Sequence, residues 1–536
     1  MTHKTVRLFV LAALLLATLG CGLGGVASRQ EEPTATAVRV EATSAAAGPA
    51  VTVVETVEVE KEVVVVEERV IVAPAPEEPP GAMFFEGYGV NPFIDTEDDH
   101  LSTFALDVDT GSYTVARGYV QDGFLPPEEA VRVEEFVNYF DQGYKLPREG
   151  DAFAIYVDGA PFPFSETERY EMMRVGIQGY AVPPEERKDV SLTFVIDVSG
   201  SMGQENRLEL VKRSLELLVE QLRPSDSVGI VVYGSEARVV LEPTSGEDMA
   251  TILEAIYRLQ PEGSTNAEGG LRLGYERANQ AFKPGAINRV ILCSDGVANV
   301  GQTGPEEILE VIGGYASEGI TLTSVGFGMG NYNDVLMEQL ADKGDGFYAY
   351  VDTLAEAERL FVHGLTGTLQ TIAMDAKVQV DFDPDVVTRY RLVGFENRAI
   401  ADEQFRDDRV DAGEIGAGHS VTALYEIKLH PEAEGRIATV HLRWRDPETS
   451  EVMELSQGFY TEDLVERLTD ADPHFQCAVV VAEYAEVLRG SHWAEASTLA
   501  GVLEEAERVA ELVPEDADMA EFVELVRQAA RIGGRE

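Results

Sequence analysis

From Val190 to about Gly367 the chain alternates two kinds of apolar run. Short ones (SLTFVID, SVGIVVYG, RVILCSDG, TLTSVGFG, FYAYV) are almost continuously apolar, as in strands buried on both faces. Longer ones (RLELVKRSLELLVEQL, DMATILEAIYRL, AEGGLRLGYERANQAF, PEEILEVIGGYA, NDVLMEQLADK, TLAEAERLFVHGL) repeat at helical spacing. Strands separated by helices must run parallel with helices on both faces, so residues 190–367 predict a doubly wound, mainly parallel α/β domain. ARVVLEP follows VVYGSE closely enough to predict one antiparallel hairpin within it.

Strand-like runs flank this domain. DAFAIYVDGAPF and YEMMRVGIQGY precede it; AKVQVDF, RYRLVGF, HSVTALYEIKL, ATVHLRWRD and LSQGFYT follow. They predict one β-sandwich built from residues 149–189 with 368–462, into which the α/β domain is inserted, since the ends of such a domain commonly lie close together. Residues 463–536 carry three helical runs and predict a C-terminal helical region packed on the sandwich. Residues 83–148 predict a compact α+β segment, with LSTFALDVD as a strand, GSYTVARGYVQDG as a helix and PPEEAVRVEEFVNYFD as a helix opened by proline. Residues 22–82 hold no aromatic residue and cannot build a core. They predict a disordered tether, about 40–45 Å across as a flexible coil.

At the N-terminus, Lys4 and Arg7 precede the apolar run Leu8 to Gly20 and then Cys21, the layout of an export signal over residues 1–21. As a helix that run rises only about 20 Å, short of the roughly 30 Å hydrocarbon core. Ala17-Thr18-Leu19-Gly20-Cys21 resembles a bacterial lipobox, with Thr18 where the pattern prefers Leu. The resemblance implies acylation of Cys21 and a lipoprotein anchored in the bacterial cell envelope, on the outer side of the cytoplasmic or outer membrane.

With 42 Lys and Arg against 95 Asp and Glu the net charge is −53, and an acidic surface of this kind repels nucleic acid. Divalent cations and basic partners fit it better. The two cysteines beyond Cys21, Cys293 and Cys477, lie in apolar runs and predict buried free thiols rather than a disulfide framework.

Asp197-Val198-Ser199-Gly200-Ser201 follows the first α/β strand, Gly263-Ser264-Thr265-Asn266 precedes a helix, and Ser294-Asp295-Gly296 follows RVILC. All three fall where an α/β sheet gathers ligands, so three loops predict one oxygen-rich site. In this order the residues resemble the von Willebrand factor type A (VWA) domain and its metal-ion-dependent adhesion site. The resemblance implies that Ser199, Ser201 and Thr265 give hydroxyl oxygens to Mg²⁺, or to Mn²⁺ or Ca²⁺, while Asp197 and Asp295 hold it partly through water. It also implies that a Glu or Asp of a protein partner completes the coordination. Further runs, among them Asn91-Pro92-Phe93, Arg132-Val133-Glu134-Glu135-Phe136 and Asp411-Ala412-Gly413-Glu414, resemble the N-terminal segment and C-terminal domain of a group of bacterial VWA lipoproteins.

The expected function is therefore binding, not catalysis. An envelope assembly scaffold with a purely structural metal is the alternative. An enzyme has its best footing at Asp107-Val108-Asp109-Thr110-Gly111, which resembles the nucleophile motif of haloacid-dehalogenase-type phosphatases, but Gly111 stands where Thr or Val is expected. Asp381-Phe382-Asp383-Pro384-Asp385 fails as a calcium loop, since Val386 replaces the required Gly and Leu392 the closing Glu. No phosphate-binding GxxxxGK[ST] or GxSxG motif is present.

Overall fold

The computed structural model describes residues 83–165, 170–296, 305–328, 333–410 and 412–534. The expected signal, Cys21 and the tether lie outside the described residues. Among the described residues no helix is long and apolar enough to cross a membrane.

The chain enters through β1 (Ile94–Asp95), β2 (Leu101–Ala105), α1 (Gly111–Gln121), α2 (Val133–Tyr139), β3 (Phe153–Pro161) and β4 (Tyr170–Gly179). The α/β domain then runs β5 (Val190–Asp197), α3 (Arg207–Glu220), β6 (Ser227–Tyr233), β7 (Ala237–Ser245), α4 (Met249–Tyr257), α5 (Ala267–Gln280), β8 (Ile287–Ser294), α6 (Pro305–Ser317), β9 (Ile320–Phe327), α7 (Asp334–Lys343), β10 (Tyr348–Val351), α8 (Leu354–Glu358) and α9 (Leu365–Leu369). Its sheet has the order β10-β9-β8-β5-β6-β7, parallel throughout except for β7, which forms the hairpin with β6. Every residue of β5 and β6 is buried, because helices cover both faces. Leu215, Ile252 and Phe361 pack on one side, and Leu271, Ile312 and Leu340 on the other.

Helical spacing in TLAEAERLFVHGL predicts one helix, but the structure interrupts it with a π-turn over Arg359–His363 between α8 and α9. There the Gly364 amide donates to the Arg359 carbonyl five residues back, at 2.8 Å. The Arg359 guanidinium meanwhile lies over the Tyr139 ring and donates to Asp518 at 2.6 Å, contacts from distant segments that local periodicity cannot encode.

The remaining elements are β11 (Thr371–Phe382), β12 (Val387–Val393), β13 (Gly413–Gly416), β14 (Ser420–Leu429), β15 (Arg436–Arg445), β16 (Val452–Tyr460), α10 (Pro473–Leu488), α11 (Leu499–Ala510) and α12 (Ala517–Gly533). One antiparallel sheet has the order β1-β12-β14-β4-β3; the other runs β13-β11-β15-β16, with β2 also paired to β11. Alternation decides which side chains enter the core: in β15, Ala438, Val440, Leu442 and Trp444 are buried. The α/β domain lies between β4 and β11, and its two connections meet where the Lys188 amide donates to Gln370 Oε1 at 3.2 Å.

Residues 83–148 are not the separate segment that local signals suggest. β1 joins one sandwich sheet and β2 the other, while α2 packs on α10. α1 is buried nearly all round, with Tyr113, Ala116 and Val120 in the core of the C-terminal helices and Val115 and Tyr119 in the core under the α/β sheet. Such a helix belongs to the interior of a larger unit.

Candidate metal centre

β5 and β8 are neighbours in the middle of the parallel sheet, and Asp197 and Ser294 end them on the same edge. Beyond Asp197 the backbone turns through Ser199 into a short 3-10 turn, Gly200–Gly203. The Ser199 amide donates to Asp197 Oδ1 at 2.7 Å, and the Ser294 hydroxyl donates to Asp197 Oδ2 at 3.0 Å. These bonds fix a carboxylate that is wholly buried. Beside it the Ser199 and Ser201 hydroxyl oxygens lie 3.0 Å apart.

The loop before α5 is tied to the same turn, since the Gly200 amide donates to the Gly263 carbonyl at 3.2 Å. Gly263 has φ +74°, and a Cβ there would lie 2.4 Å from Ser235 Oγ, so only glycine fits this crossing. Thr265 sits half-buried on that loop, one residue before Asn266, whose side chain caps α5 by accepting from the Gly269 amide at 3.0 Å. Asp295, 5% exposed, accepts from Arg207 Nη1 at 3.0 Å. Burial, above all, and then the charge of Asp295 push the Asp197 carboxyl up to about 6 against the hydrogen bonds from Ser199 and Ser294.

Hydrogen bonds thus join Asp197, Ser199 and Ser201, the charge of Asp295 reaches Asp197, and Thr265 enters through its loop's backbone. Arg207 is the residue that motif spacing does not reveal. One signal was available: arginine at the first position of a helix opposes the macrodipole and calls for a partner. Gly328 makes room for it, since a Cβ there would lie 2.5 Å from Arg207 Cδ. The rival carboxylate Asp107 is buried, with Oδ1 accepting from the Asp109 amide and Oδ2 from Arg398 Nε, both at 2.9 Å. Cys293 and Cys477 are buried and free.

Three family models tile the folded chain: von Willebrand factor over residues 80–172, von Willebrand factor type A domain over 191–362, and the C-terminal region of the uncharacterized protein YfbK over 367–532. The Escherichia coli K12 protein YfbK is 35% identical over 478 residues, covering 84% of this chain and 81% of the relative. The chain belongs to the YfbK family of VWA-domain proteins. Two other relatives match shorter stretches of the chain. The Synechocystis protein sll0103 is 28% identical over 190 residues, covering 35% of this chain and 44% of the relative. Human inter-alpha-trypsin inhibitor heavy chain H3 is 29% identical over 178 residues, covering 32% and 19%. Among solved structures, a von Willebrand factor type A protein from Catenulispora acidiphila superposes with a TM-score of 0.42 at 16% identity, covering 72% of this chain and 91% of that one. VWA domains commonly bind a divalent metal and mediate interactions between proteins; this YfbK-family chain carries such a domain.

Proposed function

We propose that this chain is a lipid-anchored, extracytoplasmic binding protein that grips an acidic side chain of a protein partner through Mg²⁺, and that it is not an enzyme. The observation that carries the reading is the pair of serine hydroxyls 3.0 Å apart beside the buried carboxylate of Asp197. Adjacent corners of an octahedron with bonds of 2.0–2.1 Å lie about 2.9 Å apart, so the pair has the spacing that Mg²⁺ asks of neighbouring ligands. All five donor residues offer hard oxygens, and none offers nitrogen or sulfur.

In this reading Ser199, Ser201 and Thr265 supply hydroxyl oxygens, and Asp197 and Asp295 supply the negative charge. A divalent cation bound there offers an electrophilic position to a partner's carboxylate oxygen. Arg207 holds Asp295 to one side of the site, and Ser294 orients Asp197. Mn²⁺ and Ca²⁺ are the alternative ions. The export-signal layout of residues 1–21 with Cys21 supports the cell-envelope part of this reading.

Retention of envelope proteins on the immobilised chain tests this. Retention in Mg²⁺ falls at least tenfold in EDTA, returns when Mg²⁺ is restored, and stays low in Asp197→Ala. Retention that survives both EDTA and Asp197→Ala contradicts the proposal and favours the scaffold.

A further inference from the structure

A second set of carboxylates lies away from the Asp197 centre, where three parts of the chain meet. Asp107 and Asp109 follow β2, Glu134 and Glu135 open α2, and Glu338 projects from α7 of the α/β domain. All five are at most 5% exposed. Ligand oxygens of Asp107, Asp109 and Glu338 lie within 4.8 Å of one another, as do those of Asp107, Glu134 and Glu135. Asp107 thus belongs to both groups.

Two guanidiniums contact the cluster. Arg398 pairs with Asp107 at 2.9 Å, with Glu338 at 2.8 Å and with Asp109 at 3.6 Å; Arg132 pairs with Glu135 and lies 3.8 Å from Glu338. Both are shared outward as well, Arg132 with Asp334 at 2.7 Å and Arg398 with Asp342 at 3.1 Å. Five carboxylates face two guanidiniums in a buried region, and burial pushes Asp109 and Glu338 up, Glu134 to about 7 and Glu135 to about 8, so either protons or a further cation must offset the crowded negative charge.

An independent observation comes from Glu134. Its Oε2 accepts from the Phe395 amide at 3.0 Å, but its Oε1, fully buried, has no hydrogen-bond partner. A buried carboxylate oxygen without a donor is rare and calls for a ligand. The approach is built closely: Gly394 has φ +86°, and a Cβ there would lie 2.5 Å from Glu134 Oε2. Cavities of about 270 and 530 Å³ reach the two arginines that contact the cluster, the first lined by Arg132 and Asn397 and the second by Asn397 and Arg398.

We propose that Asp107, Glu134 and Glu135, with Asp109 and Glu338 beside them, form a second, buried site for a divalent cation of the Ca²⁺ class that staples the N-terminal segment to the α/β domain and the sandwich. The donors are carboxylates without nitrogen or sulfur, which selects a hard ion. Ca²⁺ binds oxygen at 2.3–2.6 Å, so opposed ligands lie about 4.6–5.2 Å apart, a separation compatible with the oxygens of Asp107, Glu134 and Glu135, which lie within 4.8 Å of one another. Mg²⁺ demands a tighter shell and keeps several waters, for which a buried carboxylate cluster leaves little room. The site shares no residue with the Asp197 centre, so either stands or falls without the other.

The test uses the full-length chain carrying Asp197→Ala, which takes the first site out of the count. After stripping with EDTA, equilibrium dialysis against Ca²⁺ retains one ion per chain, and the thermal midpoint rises with Ca²⁺. Glu134→Gln weakens Ca²⁺ binding at least tenfold. In EDTA the same variant melts no lower than its parent, because it removes an uncompensated buried charge, whereas in Ca²⁺ it melts lower. The Ca²⁺ response of the parent is decisive even if that variant folds poorly. A parent that retains no Ca²⁺ and melts alike in Ca²⁺ and EDTA overturns the proposal, and one that holds Mg²⁺ more tightly than Ca²⁺ overturns the assignment of the ion.

Discussion

Arg117→Met lowers the stability of the folded chain by about 3–5 kcal/mol, the cost of stranding buried charges when one member of an ion-pair network is removed. Arg117 projects from α1 with its side chain 3% exposed. Its Nε and Nη2 donate to Asp352 at 2.7 and 2.6 Å, Nη2 also to Glu356 at 3.1 Å, and Nη1 to the Tyr139 hydroxyl at 2.8 Å and to Glu521 at 3.2 Å. Asp352 follows β10, Glu356 lies on α8 and Glu521 on α12, so one guanidinium joins the N-terminal segment, the end of the α/β domain and the C-terminal helices. Methionine fills much of the volume but leaves Asp352 and Glu356, each 7% exposed, without their cation. The shift is read from the midpoint of urea unfolding at constant slope. Adding Glu356→Gln to Arg117→Met recovers part of the loss, since the double variant strands one charge fewer. A loss below about 1 kcal/mol would mean that the network is solvated in solution and does not clamp the three parts.

Gly413→Ala costs about 3 kcal/mol through backbone overpacking. A Cβ at Gly413 would lie 1.7 Å from the Leu106 carbonyl oxygen, a backbone atom that no rotamer change can move. Nor can that segment retreat cheaply, because the Leu106 amide donates to the Ala376 carbonyl at 3.0 Å while β13 pairs with β11 over the same stretch. The expected result is a lowered thermal midpoint with the fold retained; an unchanged midpoint would show that β13 and the segment after β2 separate more easily than these contacts imply. The run Asp411-Ala412-Gly413-Glu414 thus has a physical reason at Gly413, the close crossing of two backbones.

Features carried by contiguous runs were legible in the sequence. Continuously apolar strands between amphipathic helices predict the parallel sheet, and the short spacing between VVYGSE and ARVVLEP predicts the antiparallel β7. The three loops holding Asp197 to Ser201, Thr265 and Asp295 could be placed because each follows directly on a strand or precedes a helix. What stayed hidden depends on distant partners. β2 pairs with β11 across more than 270 residues, Phe104 opposite Val378, and nothing within 83–148 encodes that pairing. Arg207 acquires its role only when α3 brings it against Asp295. The break at Arg359 falls where that residue contacts Tyr139 and Asp518, and the carboxylates from Asp107 to Glu338 become a cluster only once three parts of the chain are packed together.

The proposed function requires that Asp197, Ser199, Ser201, Thr265 and Asp295 hold a divalent cation. Calorimetric titration of Mg²⁺ and of Mn²⁺ into the full-length chain, wild type beside Asp197→Ala, with folding of both checked by circular dichroism, tests it most directly. The expected result is a binding step in the wild type that the folded variant lacks, any binding at the buried Asp107 cluster being common to both. Indistinguishable isotherms from two folded proteins would contradict it.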